Sequence, residues 1–134
     1  MITFTLPYPA GKAKTVFCRQ FSLNAYYGGK HWARRQDDAV YIHALTLQAL
    51  RNAGIARGAL GYPVEVRFFW DDGLDVDNHA AIGKMIVDAL KGYLLVDDNP
   101  SWFRRVSHEF WGGGAIRVEI VPYRKELQEG AEKA

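Results

Sequence analysis

The sequence contains one cysteine, Cys18, so the chain cannot form a disulfide within itself. Because stable disulfides belong to oxidising compartments, we expect a reducing, cytoplasmic location. There is no run of roughly 20 apolar residues, which a membrane-spanning helix requires, so no membrane partner is expected. Paired cysteines, a Walker phosphate-binding loop and an HExxH zinc motif are also absent. These absences remove disulfide scaffolds, membrane spans and the commonest zinc and nucleotide sites from consideration.

The net charge of +2 is small, but the charge is unevenly distributed along the chain. Nine Lys and Arg against three Asp and Glu give +6 over residues 1–70, and seven Asp against two Lys give −5 over residues 71–98. Residues 99–134 carry six Lys and Arg against five Glu, which gives +1. Small domains can show such asymmetry by chance. If divalent cations bind the acidic segment, however, the basic remainder favours a polyanion as the partner.

Length and hydrophobic pattern predict one α+β domain. The 134 residues, 49% of them hydrophobic, suit a single domain over residues 1–122, followed by a charged and flexible tail over residues 123–134. Strands are predicted at 2–6, at 63–70, and in SWFRRVSHEFW and AIRVEIV, which the three glycines 112–114 would join as a hairpin. We expect a mixed β-sheet with two main helices packed on it, in the order β(β)-α-β-α-β-β.

Helical spacing of apolar residues marks the two main helices. The first is predicted over residues 33–52, and the second over residues 78–91. Residues 15–23, TVFCRQFSL, are predicted as a second strand or an extended lead-in. The face of the first helix that is predicted to be buried carries Val40, Tyr41, Ala44, Leu47 and Leu50.

The acidic segment LDVDNHAAIGKMIVDALKGYLLVDD contains two aspartates near its start and two at its end. Alternate side chains of an extended chain point to the same side, so Asp75 and Asp77 are expected close together. Two adjacent carboxylates repel each other unless a cation bridges them, and oxygen ligands suit Mg²⁺ or Mn²⁺. Asp97 or Asp98 could complete a three-carboxylate site. A metal with open positions polarises a phosphate and activates a water, as phosphodiester hydrolysis requires.

The helix between these aspartates is predicted to have a polar and an apolar face. At about 100° per residue, Asp77, Lys84 and Asp88 fall on one side. Lys84 could therefore stabilise the charge of a phosphate in the transition state. The opposite side, predicted to pack on the sheet, carries Ile82, Ile86, Ala89 and Leu90.

Each acidic element also has a purely structural interpretation. Asp77 or Asn78 could cap the helix N-terminus, which would leave Asp75 unexplained. Asp97-Asp98-Asn99-Pro100 is a turn sequence. Lys84 and Asp88 are four residues apart, which is typical of a solvated ion pair. Spacing alone leaves these alternatives open.

The residues Asp75-Val76-Asp77-Asn78, Lys84, Asp88-Ala89-Leu90 and Asp97-Asp98, in that order, resemble the signature of the RusA family of Holliday junction resolvases. The expected order of elements is also similar to that family over most of the chain. The resemblance implies a crossover junction endodeoxyribonuclease that requires Mg²⁺, usually phage- or prophage-borne. Such an enzyme acts as a homodimer on branched DNA, in recombination and repair.

The resemblance also implies a role for each matching residue. Asp75, Asp77 and Asp98 would be catalytic carboxylates that bind the metal, with Asp97 as a supporting or alternative ligand. Lys84 would be the catalytic lysine. A homodimer suits this activity, because two strands related by twofold symmetry need two related sites.

One spacing departs from the compact family pattern, in which the lysine follows the Asn by three residues. Here Lys84 follows Asn78 by six residues. We interpret the extra residues as a lengthened loop or helix start, since Lys84 still lies on the Asp77 face. His79 lies in this stretch. A catalytic role is one interpretation of His79, and a solvated or capping histidine is the commoner one.

Two basic groups are candidates for DNA contact. Lys30, Arg34 and Arg35 lie beside Gly28-Gly29 at a predicted helix start, where backbone N–H groups and cations together favour phosphate. The structural alternative is an exposed helix end with Trp32 in the core. Arg104 and Arg105, beside two aromatic residues, form the second candidate group.

Two other functions fit the same pattern. One is a module that binds junctions or single-stranded DNA without cutting them, with an acidic cluster of structural origin. The other is a Mg²⁺-dependent phosphoesterase that acts on other substrates.

Overall fold

Four strands and four α-helices make up residues 1–124, the part of the chain that the computed structural model describes. The predicted α+β class with a mixed sheet is confirmed. The elements are, in chain order, β1 (Ile2–Pro7), α1 (Lys12–Phe21), α2 (Leu23–Tyr27), α3 (Trp32–Asn52), β2 (Val64–Trp70), a 3-10 turn (Val76–His79), α4 (Ala80–Leu90), β3 (Phe103–Phe110) and β4 (Ala115–Pro122).

The strands lie side by side in the order β1-β4-β2-β3. Strand β4 is antiparallel to both β1 and β2, whereas β2 and β3 are parallel. The predicted hairpin between β3 and β4 is therefore wrong, because β2 lies between them. After β3 the chain crosses the end of β2, where Trp111 N–H donates to Trp70 O (3.0 Å) and Gly114 N–H donates to Asp71 Oδ2 (2.7 Å).

Burial explains why β2 takes a central position and β3 an edge. The side chains of β2 that face the helices, Val64, Val66, Phe68 and Trp70, are fully buried. Strand β3 is mostly exposed along its length. A strand that is apolar and buried gains most from neighbours on both sides, whereas polar side chains are typical of an edge. Helix α4 connects the parallel pair, as a crossover between parallel strands requires.

Residues 15–23 were predicted to be extended, and this prediction is wrong. They fall mostly in α1, which buries Phe17 and Phe21, one helical turn apart, and leaves Val16 exposed. The β-branched and aromatic residues suggest a strand locally. Burial of two phenylalanines on one helical face outweighs that local preference.

The predicted buried face of α3 is only partly correct. Leu50 is buried and Leu47 half-buried, but Val40 is 69% exposed and Tyr41 48% exposed, and Ala44 is exposed as well. The buried stripe consists of Asp38, Ile42, Thr46, Ala49 and Leu50. Because two residues of this stripe are polar, Asp38 and Thr46, the spacing of apolar residues does not indicate which face of α3 is buried. Thr46 satisfies its hydroxyl locally by donating to Ile42 O at 2.7 Å.

Helices α3 and α4 lie on one side of the sheet, and Gly83 lets α4 approach closely. A Cβ at Gly83 would lie 3.2 Å from His108 Cε1 and 3.4 Å from Phe68 Cε2. Larger residues at this position would push α4 away from β2 and β3. The opposite side of the sheet carries ion pairs between strands, including Arg105 with Glu65 at 3.0 Å.

Within residues 1–124, no helix combines the length and apolar character needed to cross a membrane. The predicted tail, 123–134, lies outside the described residues from 125 onward. Its first residue, Tyr123, donates its backbone N–H to Pro63 O at 2.9 Å.

Truncation of Ile42 tests the observed phase of α3. We expect Ile42→Ala to lower the free energy of unfolding by about 2–5 kcal/mol, because it removes a fully buried side chain. Val40→Ala, two residues away and exposed, should change it by less than about 0.5 kcal/mol. Urea denaturation at pH 7 measures both values. An equal or larger loss at Val40 would contradict the structure of α3.

Candidate active site

The acidic loop runs from the end of β2 to the start of α4. Leu74 N–H donates to Asp72 Oδ1 (3.0 Å), and Asn78 N–H donates to Asp75 O (2.9 Å), which closes the 3-10 turn. The predicted cap by Asp77 or Asn78 is wrong, because the 3-10 turn comes before α4. Asn78 Oδ1 instead accepts the backbone N–H of Asn24 at 3.1 Å and ties the loop to α2.

Asp75 and Asp77 are exposed residues of this loop. The extended backbone from which their closeness was expected is not present, because Val76–His79 form the 3-10 turn. The two lysines that follow them in the chain pair with other carboxylates: Lys84 with Asp88, and Lys91 with Asp97 and Asp98. Within residues 1–124, neither Asp75 nor Asp77 forms an ion pair. Their carboxylates are therefore available to a ligand.

Burial confirms the predicted division of α4 into two faces, except that Asp77 lies in the 3-10 turn before the helix and not on its polar face. Lys84 and Asp88 are exposed, and Lys84 Nζ lies 3.3 Å from Asp88 Oδ2. Of the residues between Asn78 and Lys84, Ala80–Gly83 form the first turn of α4. The buried face consists of Ile82, Gly83, Ile86, Val87, Ala89 and Leu90.

Asp97 and Asp98 follow a tight fold-back after α4 and have different surroundings. Asp97 stabilises the turn, since Oδ1 accepts Asp98 N–H (2.8 Å) and Oδ2 accepts Asn99 Nδ2 (3.0 Å). The backbone hydrogen bond from Asp98 is the main reason that the pKa of Asp97 is lowered. Lys91 Nζ lies 3.6 Å from Asp97 and 3.5 Å from Asp98. The turn interpretation therefore applies to Asp97.

A cleft of about 300 Å³ separates α4 from β3 and contains both Lys84 and Asp98. Its walls are mostly apolar, so the two charged side chains are its main polar features. Asp75 and Asp77 do not line the cleft. Asp77 lies three residues before Ala80, which does line it. The structure thus brings Lys84 and Asp98 together and places the other two carboxylates at the N-terminal end of the same helix. The lining residues are Phe68, Ala80, Gly83, Lys84, Val87, Asp98, Phe103, Val106 and His108.

The predicted three-carboxylate cluster is not assembled. Within the described chain, residues 1–124, no three His, Cys, Asp or Glu side chains are grouped so that they could hold a metal. Mg²⁺ in proteins is often held by only one or two carboxylates, with waters and substrate phosphate completing its shell. Exposed carboxylate oxygens, as at Asp75 and Asp77, fit that simpler mode by their chemistry.

His79 is the residue whose surroundings differ most from expectation. It is 1% exposed, which rules out the solvated interpretation, and its side chain does not cap α4. Its ring stacks on Trp70 and its Nε2 lies 2.8 Å from Asp72 Oδ1. Burial would raise the pKa of Asp72, but hydrogen bonds from His79 and Tyr8 outweigh burial and lower it. No local signal in the sequence indicates this pairing.

The first basic group divides into one bound cation and two exposed ones. Lys30 forms a buried ion pair with Asp38, and its side chain is only 11% exposed. Arg34 and Arg35 are exposed, and Arg35 donates to Tyr26 O at 2.9 Å. Trp32 is 64% exposed, so the interpretation that placed it in the core is wrong.

Arg104 and Arg105, the second basic group, are both exposed. Arg105 is partly neutralised by Glu65, whereas Arg104 lies over the ring of Tyr123 at 5.1 Å and donates to Pro100 O. Arg104 therefore has the freer charge of the two.

No protein-family model matches the chain, and no curated protein matches it in sequence.

The buried pair of Asp38 with Lys30 yields a prediction about stability. Burial would raise the pKa of Asp38, but hydrogen bonds from Lys30, Gln20 and Tyr26 outweigh it and lower the pKa. The ionised form therefore stabilises the fold above the ordinary pKa of about 3.9, and this stabilisation is lost as the pH falls through the lowered pKa.

We expect Asp38→Asn to lower the free energy of unfolding by about 3 kcal/mol at pH 7, because Lys30 is left buried without its partner. The difference from wild type should shrink below about pH 4. Urea denaturation at several pH values measures it. Asp37→Asn, at an exposed neighbour, is the control and should change little. A difference that persists unchanged in acid would contradict this account.

Proposed function

We propose that the protein is a RusA-like, Mg²⁺-dependent endonuclease that cuts four-way DNA junctions in recombination and repair. One observation carries the proposal: Asp75 and Asp77 are exposed and unpaired among residues 1–124, at the start of the helix whose Lys84 shares a cleft with Asp98. The order of these residues along the chain resembles the signature described above, apart from the longer interval before Lys84.

The chemistry follows from the charges and their exposure. Mg²⁺ at Asp75 and Asp77, with Mn²⁺ as a substitute, would polarise a phosphate and lower the pKa of a bound water. Lys84 is 72% exposed, and its ion pair with Asp88 is of the weak surface kind. It can therefore exchange Asp88 for a DNA phosphate at little cost. Asp98 adds a carboxylate at the cleft, with Asp97 supporting its turn.

The substrate and assembly are part of the same proposal. Branched DNA presents two strands for symmetric cuts, and a homodimer would present two equivalent sites. Of the five cations predicted to contact DNA, Arg34, Arg35 and Arg104 have no acidic partner within the described part of the chain, whereas Lys30 and Arg105 contribute less because acidic partners hold them. A cytoplasmic protein encoded by a phage or prophage fits this function.

Cleavage of a synthetic four-way junction tests the proposal. Wild type should cut it in the presence of Mg²⁺, with linear duplex of equal length as the comparison. Asp77→Asn should reduce the rate by about 100-fold or more, because a metal-binding carboxylate is lost without a change in volume. Glu109→Gln, at an exposed position of β3, should cut like wild type. Equal cutting by the wild type and Asp77→Asn would refute the site.

A second function, DNA binding without hydrolysis, is favoured by one observation. Lys91 lies within 3.6 Å of both Asp97 and Asp98, which reduces the charge available to a metal at that end of the cleft. This function predicts salt-sensitive binding to junctions with no metal-dependent nicking. Equal cutting of branched and linear substrates would instead indicate a general phosphoesterase.

The different surroundings of Arg34 and Lys30 predict different effects on DNA binding. Arg34→Gln should weaken junction binding several-fold and reduce the slope of log K against log salt by about 1, because one exposed cation is lost. Lys30→Gln should leave that slope unchanged, since Asp38 already neutralises Lys30. Fluorescence anisotropy at several salt concentrations measures both slopes. Equal losses of slope would contradict the assignment.

A further inference from the structure

The buried pair of Asp72 and His79 has no part in the proposed chemistry. The two residues nevertheless lie on either side of Asp75 and Asp77 in the chain, which are the proposed metal ligands. His79 Nε2 lies 2.8 Å and 3.0 Å from the two Asp72 oxygens, and Nδ1 lies 2.9 Å from Val76 O. Both ring nitrogens thus face oxygen acceptors. The ring is held from its faces and edges as well, because it stacks on Trp70 at 4.3 Å and meets Phe110 edge-on at 5.9 Å. Its position leaves little rotational freedom.

Asp72 is held just as firmly from the other side. Its side chain is 2% exposed, and Oδ2 accepts the hydroxyl of Tyr8 at 2.7 Å. The same Tyr8 oxygen accepts the backbone N–H of Asp71 at 3.0 Å. Asp72 Oδ1 accepts the backbone N–H of Leu74 at 3.0 Å. Tyr8, which directly follows β1, therefore supports the carboxylate that bonds His79.

These bonds fix both ends of the segment 72–79. Asp72 anchors the segment at the end of β2, His79 anchors it at the start of α4, and Val76 O is held from within. Asp75 and Asp77 lie on either side of Val76. Their backbone positions are therefore set by buried groups, whereas their own side chains remain exposed.

A purely structural demand would not require this pairing. Replacing a buried ion pair with apolar groups is often neutral or stabilising, so burial of Asp72 against His79 is weak evidence for a stabilising role. Groups that hold metal-binding loops or ligands in position typically change metal affinity 10- to 100-fold when they are removed. The observed contacts of Asp72 and His79 suit a role in holding the backbone of the segment 72–79 in one conformation.

We infer that Asp72 and His79 are positioning residues, which hold the segment 72–79 so that Asp75 and Asp77 present their carboxylates to one divalent cation. The inference rests on the proposed function, because it assigns these carboxylates to the metal. It adds a role for two residues that do not touch the cation, together with Tyr8 as their support.

Two substitutions of His79 separate positioning from packing. Gln can place its amide nitrogen near the position of Nε2 and keep the hydrogen bond to Asp72. Asn is shorter and reaches only the position of Nδ1, so it keeps the bond to Val76 O alone. Both lose the stacking area on Trp70, and a packing role would therefore affect the two variants similarly.

The experiment measures Mn²⁺ binding to the full chain by electron paramagnetic resonance, without DNA, at a temperature where circular dichroism shows each variant folded. His79→Asn should weaken Mn²⁺ binding about 10-fold, and His79→Gln should stay within about 3-fold of wild type. Tyr8→Phe removes the hydroxyl that supports Asp72 and should weaken binding about 3-fold. Tyr8→Phe and His79→Gln keep the test decisive if His79→Asn does not fold.

Two further variants make the outcomes distinguishable. Glu119→Gln alters a buried carboxylate on the other side of the sheet, bonded to Arg117 at 2.7 Å, and should bind Mn²⁺ like wild type. Asp77→Asn reports on the metal site itself. If the wild type binds Mn²⁺ and Asp77→Asn does not, unchanged binding by His79→Asn and Tyr8→Phe overturns the positioning role alone. If Asp77→Asn binds like wild type, or the wild type does not bind, the proposed metal site and the positioning role both fall.

Discussion

The hydrogen-bonded contact between Asp72 and His79 joins the end of the central strand to the start of α4. Neither side chain can be buried alone without a large desolvation penalty, so each requires the other in place. Their contact sets where β2 stops and where α4 begins. From that point α4 packs on the sheet through Gly83, opposite Phe68 and His108, and the cleft between α4 and β3 takes its shape. The exposed aspartates lie between the two residues of this contact, and Lys84 lies on the helix that begins directly after His79.

Features that depend on local periodicity could be predicted from the sequence. The two faces of α4 follow from spacing alone, and burial agrees with them. Features that depend on contacts between residues far apart in the chain could not be predicted from it. The pairing of β3 depends on competition between strands for the neighbouring position beside β2, and three glycines between two strands suggest a hairpin whether or not the strands pair. In α3, the polar Asp38 and Thr46 occupy buried positions and hide the apolar stripe.

The candidate site shows the same division between local and distant effects. The sequence indicated Lys84 and Asp98 as functional residues, and the structure places them in one cleft. No pattern in the sequence indicated that Lys30 would pair with Asp38, or that His79 would be buried against Asp72, because such residues are exposed in most proteins. Each pairs with a residue only seven or eight positions away, but more distant residues complete the buried surroundings, such as Tyr8 at Asp72 and Gln20 at Asp38. Pairings of this kind are decided by the tertiary fold and leave no periodic pattern.

The strand order has a consequence for how the chain acquires its structure during synthesis. Strand β1 is the first to be made, yet its sheet partner is β4, which ends at Pro122. Until the ribosome has released β4, the N-terminal strand has no neighbour, and the closest register pair, Pro7 with Ala115, spans most of the described chain. Closing so large a loop is slow, since its entropy is lost before the contacts form. The unit β2-α4-β3 can assemble earlier, and the last strand then completes the sheet by entering between two segments that are already present.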